Sequence, residues 1–128
     1  MNKKYIYKSV INHGSFKESV SYEEKGKYHY DQGNHVVKFV SNGEKFEISY
    51  NDHHVSLKHG QSNLFLSTFE EIENDYVTQY GVMHLTTRVL KLESAENKLS
   101  LIYELVVQGE VVSTVYIMLR GQELSDEA

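Results

Sequence analysis

Apolar and polar residues alternate with a period of two along much of the chain, which is the pattern of β-strands with one buried face. Between the turns the residues are rich in Tyr, Val, Phe, Ile and Thr, which favour strands. The alternation predicts these inward-facing residues: Phe46, Ile48, Tyr50, Val55, Leu57, Leu99, Leu101, Tyr103 and Leu105. The chain is therefore expected to be all-β.

Turn-forming residues interrupt the alternation at short, nearly regular intervals, which is typical of strands joined by tight turns. Asn42-Gly43 is the strongest hairpin signal, since both central residues of a type I′ turn need positive φ. We expect a turn at each of these marks: His13-Gly14, Gly26, Gly33-Asn34, Asn42-Gly43, Asn51-Asp52, Gly60, Asn74-Asp75, Ala95-Glu96-Asn97 and Gln108-Gly109.

Two segments could be read in more than one way. Residues 76–92 form one long strand-like stretch, and Gly81 within it indicates a bulge or sharp bend that divides it. Residues 67–72 have the spacing of a helical capping box at Ser67 and Glu70, but their apolar positions support barely one turn of helix. We interpret this second segment as strand and turn.

The pattern predicts nine to ten strands in hairpin succession, within a single domain over residues 1–128. No segment is long enough for a helical crossover, which leaves a barrel or a two-sheet sandwich. We favour a closed or nearly closed antiparallel meander β-barrel because closure removes exposed sheet edges.

The last predicted strand is apolar on both faces. One face should line the core with Val111, Val115, Ile117 and Leu119, and the other carries Val112, Tyr116 and Met118. An open apolar stripe of this kind is usually covered in monomers. We expect either a homodimer through this strand or coverage by the amino-terminal segment.

Composition excludes several classes of protein. The chain has no cysteine, which removes disulfides, thiolate metal sites and cysteine nucleophiles. A net charge of −5 with two arginines argues against nucleic-acid binding. No apolar run approaches the roughly 18 residues of a membrane helix, and no signal peptide is evident. We expect a soluble, cytoplasmic protein without a membrane partner.

Several segments resemble the YwiB-like family of uncharacterised bacterial proteins. They are Lys8-Ser9-Val10-Ile11, Gly26-Lys27-Tyr28-His29-Tyr30, Gly81-Val82-Met83-His84-Leu85-Thr86-Thr87, Lys98-Leu99-Ser100-Leu101-Ile102-Tyr103-Glu104-Leu105 and the closing hairpin from Gly109 to Gly121. The resemblance implies a calycin-like, lipocalin-related barrel from a bacterial cytoplasm. It implies no activity, ligand or catalytic residue. Haem-binding calycins use a histidine near the carboxyl end, whereas the last histidine here is His84, and no cofactor is predicted.

Seven histidines suggest metal binding, but their spacing does not support it. His53 and His54 are adjacent in a strand and point to opposite faces. His29 and His35 flank a predicted turn, and they are the one sequence-local pair that could meet. No third ligand is evident, so we predict no metal site.

The ten tyrosines provide the candidate ligand-binding residues. Packing of the core explains most of them. The functional interpretation is an interior lined by phenols, in which Tyr103 and Thr87 or Arg88 orient a ligand. Thr87 and Arg88 are adjacent, so only one of them can point inward on a regular strand. Tyr28 and Tyr30, which share a face, complete the predicted set.

Two hypotheses for function follow. The first is a barrel that binds a small apolar or amphipathic molecule. The second is a barrel filled by its own side chains, which acts through its outer surface as a protein-interaction or regulatory module. No catalytic motif is present, so we assign no catalytic residue and favour a non-enzymatic function. We favour ligand binding because calycin relatives bind ligands, which is an argument by analogy.

Overall fold

The computed structural model describes residues 1–124, and residues 125–128 of the predicted domain lie outside the described residues. Ten strands account for most of this range. They are β1 (Asn2–Asn12), β2 (Lys17–Asp31), β3 (Asn34–Ser41), β4 (Glu44–Tyr50), β5 (His54–His59), β6 (Ser62–Ser67), β7 (Ile72–Thr78), β8 (Gly81–Ala95), β9 (Lys98–Val107) and β10 (Glu110–Glu123).

The strands form one antiparallel sheet in the order β6-β5-β4-β3-β2-β1-β10-β9-β8-β7. The first strand pairs with both β2 and the last strand, so the two halves of the meander join at the chain ends. The sheet curls until its edge strands β6 and β7 meet, which makes a nearly closed barrel. The predicted all-β meander barrel with nine to ten strands is confirmed. No helix in residues 1–124 has the length and apolar character needed to cross a membrane.

Three hairpins turn through two residues that both have positive φ. Asn42-Gly43 has φ values of 53° and 79°, and Gln32-Gly33 has 50° and 85°. Gln108-Gly109 repeats this with 51° and 81°. Such turns twist in the same sense as the strands they join, which lets the meander curl into a barrel. The hairpin predicted at Asn42-Gly43 is confirmed.

The core occupies the barrel interior and follows the predicted alternation. Leu99 and Leu101 are completely buried, and Tyr103 is nearly so. Leu105 is only partly buried and packs against the edge of the core. The other predicted core residues behave similarly: Phe46, Ile48, Tyr50 and Val55 are buried, and Leu57 is partly buried.

The last strand departs from its predicted alternation at one end. A β-bulge between Val111 and Ser113 shifts the register against β9. Val111 is therefore 47% exposed instead of lining the core, and Ser113 is buried in its place. Beyond the bulge the predicted core face of this strand, Val115, Ile117 and Leu119, is buried as expected.

The outer face of the last strand stays open within residues 1–124. Tyr116 and Val112 are 44% and 45% exposed. The amino-terminal strand lies beside β10, paired along its edge, and does not lie over this face. Coverage by the amino terminus is therefore wrong, and the homodimer stays a prediction.

Two of the predicted turns are wrong because the residues serve tertiary contacts within strands. Gly26 lies inside β2, where the ring of Tyr5 packs against it. A Cβ at this position would come within 2.9 Å of that ring and 2.6 Å of the Lys38 carbonyl oxygen. Asn74 and Asp75 lie inside β7, since the Asn74 side chain joins this strand to β6. Gly81 does mark a bend, at the start of β8 with φ of 117°.

Side chains close the seam between β6 and β7 in place of a backbone ladder. The buried Asn74 accepts a hydrogen bond from the Phe65 N–H (2.9 Å) and donates one to the Phe65 carbonyl (3.1 Å). The Thr87 hydroxyl donates to the same carbonyl at 2.8 Å. Nearer the seam's other end, the Ser62 hydroxyl donates to the Val77 carbonyl at 2.6 Å. The barrel is nearly closed, and within residues 1–124 this seam is the join that has no backbone ladder.

Candidate ligand-binding cavity

A cavity of about 240 Å³ lies inside the barrel toward the end that carries the β5–β6 turn. Four phenols from β1, β2, β7 and β9 line it, namely Tyr7, Tyr22, Tyr76 and Tyr103. The rest of its wall is mainly apolar and includes these residues: Ile11, Val20, Phe46, Ile48, Leu57, Leu64, Val115 and Ile117. A concave, mostly apolar space with a few polar groups is the usual form of a small-molecule site.

Strand pairing sets the positions of the phenols. Tyr7 and Tyr22 are directly opposite each other in β1 and β2, and their rings lie nearly parallel with centroids 6.0 Å apart. Tyr103 projects inward from β9, opposite Val115 of β10. Barrel closure brings Tyr76 of β7 to the same cavity from the far end of the sheet.

Burial raises the pKa of two of these phenols, Tyr7 and Tyr103. It raises the pKa of Tyr7 to about 12, an effect that the Ser9 hydroxyl partly offsets and that Tyr22 and Tyr76 reinforce. Burial also raises the pKa of Tyr103, and the nearby Tyr7 and Tyr76 add to the effect. A neutral phenol donates one hydrogen bond. Among residues 1–124 the hydroxyls of Tyr22, Tyr76 and Tyr103 have no side-chain hydrogen-bond partner, so the cavity presents donors to an acceptor.

Polar residues gather where the cavity reaches the surface. His59 stacks on Phe46 with ring centroids 4.1 Å apart, and its Nε2 pairs with the Glu44 carboxylate. Ser62 and Lys58 also reach the cavity at this end. The cavity therefore has an apolar interior and a polar mouth.

The opposite end of the barrel is closed by a buried polar cluster. The Lys3 ammonium is fully buried and contacts the Glu96 carboxylate (2.8 Å) and the Asn97 side-chain oxygen (2.6 Å). It also lies 4.2 Å from the centroid of the Tyr28 ring. The Tyr50 hydroxyl donates to the Ala95 carbonyl at 2.7 Å. These contacts draw the β8–β9 turn across the barrel end and leave the cavity open only toward the other.

The predicted ligand-binding residues are distributed over several places. Tyr103 lines the cavity. Thr87 is the inward-facing member of its pair, and its side chain is used in the seam. Arg88 is on the outer face, bonded to the Glu71 and Glu104 carboxylates at 2.7 and 3.0 Å. Of these three predicted residues, Tyr103 is the one that lines the cavity.

The other two predicted tyrosines are at the closed end. The Tyr28 hydroxyl lies 2.8 Å from Nδ1 of His35. Tyr30 is directly opposite His35 and is 63% exposed. Neither tyrosine lines the cavity. Four of the predicted ligand contacts therefore do not line this cavity, and their role in binding stays a prediction: Thr87, Arg88, Tyr28 and Tyr30.

The sequence patterns do not predict Tyr7, Tyr22 or Tyr76 as cavity residues. A signal existed for the first of these, since Tyr5, Tyr7, Ser9 and Ile11 alternate on the inward face of β1. Tyr22 and Tyr76 could not be assigned because their placement depends on register and on closure of the barrel.

The histidines are not arranged around a common point. His29 and His35 lie on opposite faces of the sheet, since His29 pairs with Val36 while His35 pairs with Tyr30. The described part of the chain contains no group of three or more His, Asp or Glu side chains that could hold a metal ion.

Comparison with known proteins connects this barrel to a family. The chain is similar to the YwiB protein from Bacillus subtilis, whose crystal structure matches with a TM-score of 0.72 over 94% of this chain and 91% of that one, at 17% identity. This likeness concerns the fold. No curated protein matches the chain. The profile described as "Domain of unknown function (DUF1934)" matches residues 6–119, and the chain therefore belongs to the DUF1934 family.

Proposed function

We propose that the barrel binds a small, uncharged, mainly apolar molecule that carries a hydrogen-bond acceptor, and that the phenol-lined cavity is its site. The single observation that carries the proposal is the gathering of Tyr7, Tyr76 and Tyr103 from three strands around one mainly apolar cavity. Core packing alone does not require several phenols to face the same cavity.

The size of the cavity limits the ligand. Its volume of about 240 Å³ exceeds the roughly 150 Å³ of an engineered cavity that binds benzene. It is below the roughly 300–1,000 Å³ of pockets for drug-sized molecules. A molecule with one ring, or a short branched chain, fits this range. A long acyl chain does not, because the Lys3 cluster closes the far end of the barrel.

The chemistry of the wall sets the preferred polarity. Tyrosine is protonated at neutral pH, and burial raises the pKa of Tyr7 and Tyr103 further, so their hydroxyls can donate to a carbonyl or ether oxygen. No lysine or arginine lies among the inner wall residues, since Lys58 lies only at the mouth. A buried carboxylate would therefore lack a cation and would lose its hydration without compensation.

The experiment compares three ligands of similar shape by isothermal titration: acetophenone, ethylbenzene and benzoate. Acetophenone should bind best, because it alone is an uncharged ring with a carbonyl acceptor. Tyr103→Phe should weaken acetophenone binding by about five- to tenfold, the usual effect of one neutral hydrogen bond, and should leave ethylbenzene binding unchanged. Tyr116→Phe, on the outer face of β10, is the matched control and should change neither.

Absence of saturable binding by all three ligands would refute the proposal, as would stronger binding of benzoate. Native mass spectrometry of the protein purified from its own host provides a second measurement. A retained molecule of one-ring size supports the proposal, and a retained long-chain lipid contradicts it.

One observation supports the alternative function through the outer surface. Tyr116 and Val112 form an exposed apolar strip on the outer face of β10. Under that alternative, a homodimer or a protein partner covers the strip and the interior is inert. Substitution of Tyr103 would then leave function intact, and substitution of Tyr116 would not.

A further inference from the structure

Four lysines surround a groove on the outer face of β2, β3 and β4. The groove has a volume of about 740 Å³, and Lys25, Lys27, Lys38 and Lys45 line it. Its lysines are not residues of the interior cavity, because they are on the solvent side of the sheet and are exposed, while Phe46 borders both spaces. The chain as a whole carries a net charge of −5, so this concentration of positive charge opposes the overall balance.

Strand register forces the positive charges together. Lys27 of β2 is directly opposite Lys38 of β3. Lys25 is on the same face two residues away, about 6.6 Å along the strand. Like charges directly opposite in a sheet are destabilising. A bound anion would relieve this repulsion between the lysine side chains.

The lysines of the groove are poorly compensated by acidic groups. Among residues 1–124, Glu47 is the one carboxylate in its wall, 3.5 Å from the Lys38 ammonium. Among residues 1–124, Lys25, Lys27 and Lys45 form no ion pair, whereas Lys91 and Lys98 elsewhere on the barrel both pair with Glu93. Within the described residues, three lysines of the groove therefore have no acidic partner.

The spacing of the charges indicates the form of the anion. Neighbouring strands are about 4.8 Å apart, so Lys27 and Lys38 can contact one phosphate group together. Lys45 is two strands from Lys27 and offset by two residues along its strand, about 12 Å away, and can contact a second group. Val40 (53% exposed) and Leu124 add apolar surface for an organic part.

From these observations we propose that the groove binds a small molecule that carries a diphosphate. Lysine binds phosphate as a compact point charge, and a concave site increases the local potential. An extended nucleic acid fits less well, since the basic surface spans only three strands and the rest of the chain is acidic.

Isothermal titration of the full chain with inorganic pyrophosphate tests this proposal. The double variant Lys27→Gln/Lys38→Gln should weaken binding on the order of tenfold or more, because two charge-assisted contacts are lost. The control is Lys91→Gln/Lys98→Gln, which makes the same change in net charge outside the groove and should change the affinity by less than about twofold. Orthophosphate should bind more weakly than pyrophosphate to the wild type.

Two further measurements keep the test decisive. The groove variant should unfold in urea close to the wild-type midpoint, since it removes both the Lys27–Lys38 repulsion and the exposed Lys38–Glu47 pair, so weaker binding cannot be attributed to misfolding. Saturating pyrophosphate should shift the methyl resonances of Val40 and Leu124 and leave those of Ile117 in the cavity unchanged.

Three outcomes would overturn the proposal. These are no saturable binding of pyrophosphate at millimolar concentration, equal weakening in the groove and control variants, and tighter binding of a single-stranded oligonucleotide than of pyrophosphate. The last would assign the groove to nucleic acid. None of the three affects the cavity proposal, which depends on different residues.

Discussion

The contribution of a residue to the stability of this barrel depends on whether its side chain faces the core or the solvent. Leu101 is completely buried and is opposite Ile117 of β10 and Leu92 of β8. The adjacent Ser100 is on the other face, opposite Met118. Two neighbouring positions in one strand therefore give opposite environments on the same backbone.

We predict that Leu101→Ala destabilises the protein by about 2–5 kcal/mol, since it removes buried methyl groups and leaves a cavity. Ser100→Ala should change the free energy of unfolding by less than about 0.5 kcal/mol. Equilibrium urea unfolding of both variants measures the difference. Equal effects would mean that the two faces of β9 have been exchanged.

Two glycines within strands are required by the packing of a single tyrosine, Tyr5. A Cβ at Gly121 would lie 2.8 Å from the Tyr5 ring, as one at Gly26 would at 2.9 Å. Tyr5 of β1 thus packs flat against glycines in both neighbouring strands. No positive φ is involved at either glycine, so the requirement is for space and not for backbone freedom.

At the scale of elements, local patterns predicted most strands but not every boundary. Alternation identified the faces of β4, β5 and β9, and positive-φ residues identified the hairpin at Asn42-Gly43. Gly26 and Asn74 were mistaken for turns because turn propensity is a local property, while each residue is used for a contact with a distant strand. The bulge that exposes Val111 could not be predicted, since one extra residue leaves no mark in the composition.

The candidate site was predictable only in part, for a related reason. Alternation shows that Tyr103 points inward, but not which other side chains it meets. The meeting of Tyr7, Tyr76 and Tyr103 depends on the register of three ladders and on the closure of the seam. The same holds for the lysine groove, whose members come from three strands and form no basic run in the sequence.

The side-chain hydrogen bonds of Asn74 should stabilise the seam between β6 and β7. Asn74 is 5% exposed and bonds the N–H and the carbonyl of Phe65. Asn74→Leu keeps a similar volume and removes these bonds, so it should destabilise the protein by about 2–4 kcal/mol. Hydrogen exchange at the Phe65 amide should accelerate in this variant.

Glu73→Leu is the control for the seam, because Glu73 is the preceding residue in β7 and is exposed. It should change stability by less than about 0.5 kcal/mol. If Asn74→Leu were as stable as the wild type and its Phe65 amide equally protected, side-chain bonding would not be what holds β6 to β7.

At the scale of the whole molecule, the barrel buries phenols at both ends. Burial raises the pKa of Tyr5 and Tyr50 at the closed end, and that of Tyr7 and Tyr103 at the cavity. An unfolded chain would expose all four to water, where a tyrosine has its ordinary pKa of 10.0. Alkaline pH should therefore destabilise the whole barrel, because tyrosines in several parts of it favour the unfolded state when they ionise.

We predict that the protein unfolds cooperatively above pH 10. For an acid whose pKa is higher in the folded state, the unfolded state loses its proton first, so stability is complete below pH 10 and declines as the pH rises toward the folded value. For Tyr7 this interval runs from 10.0 to about 12. Tyrosinate absorbance and far-ultraviolet circular dichroism, recorded together during a pH titration, should change in one shared transition.

Tyr7→Phe separates this mechanism from general alkaline damage. It removes one group whose ionisation opposes folding, so the midpoint of the transition should move to higher pH. Tyr30→Phe is the matched control, since Tyr30 is 63% exposed and its environment changes little on unfolding. Ionisation of the buried tyrosines near pH 10 with the circular dichroism unchanged would contradict the prediction, because it would mean that water reaches Tyr7 and Tyr103 while the barrel remains folded.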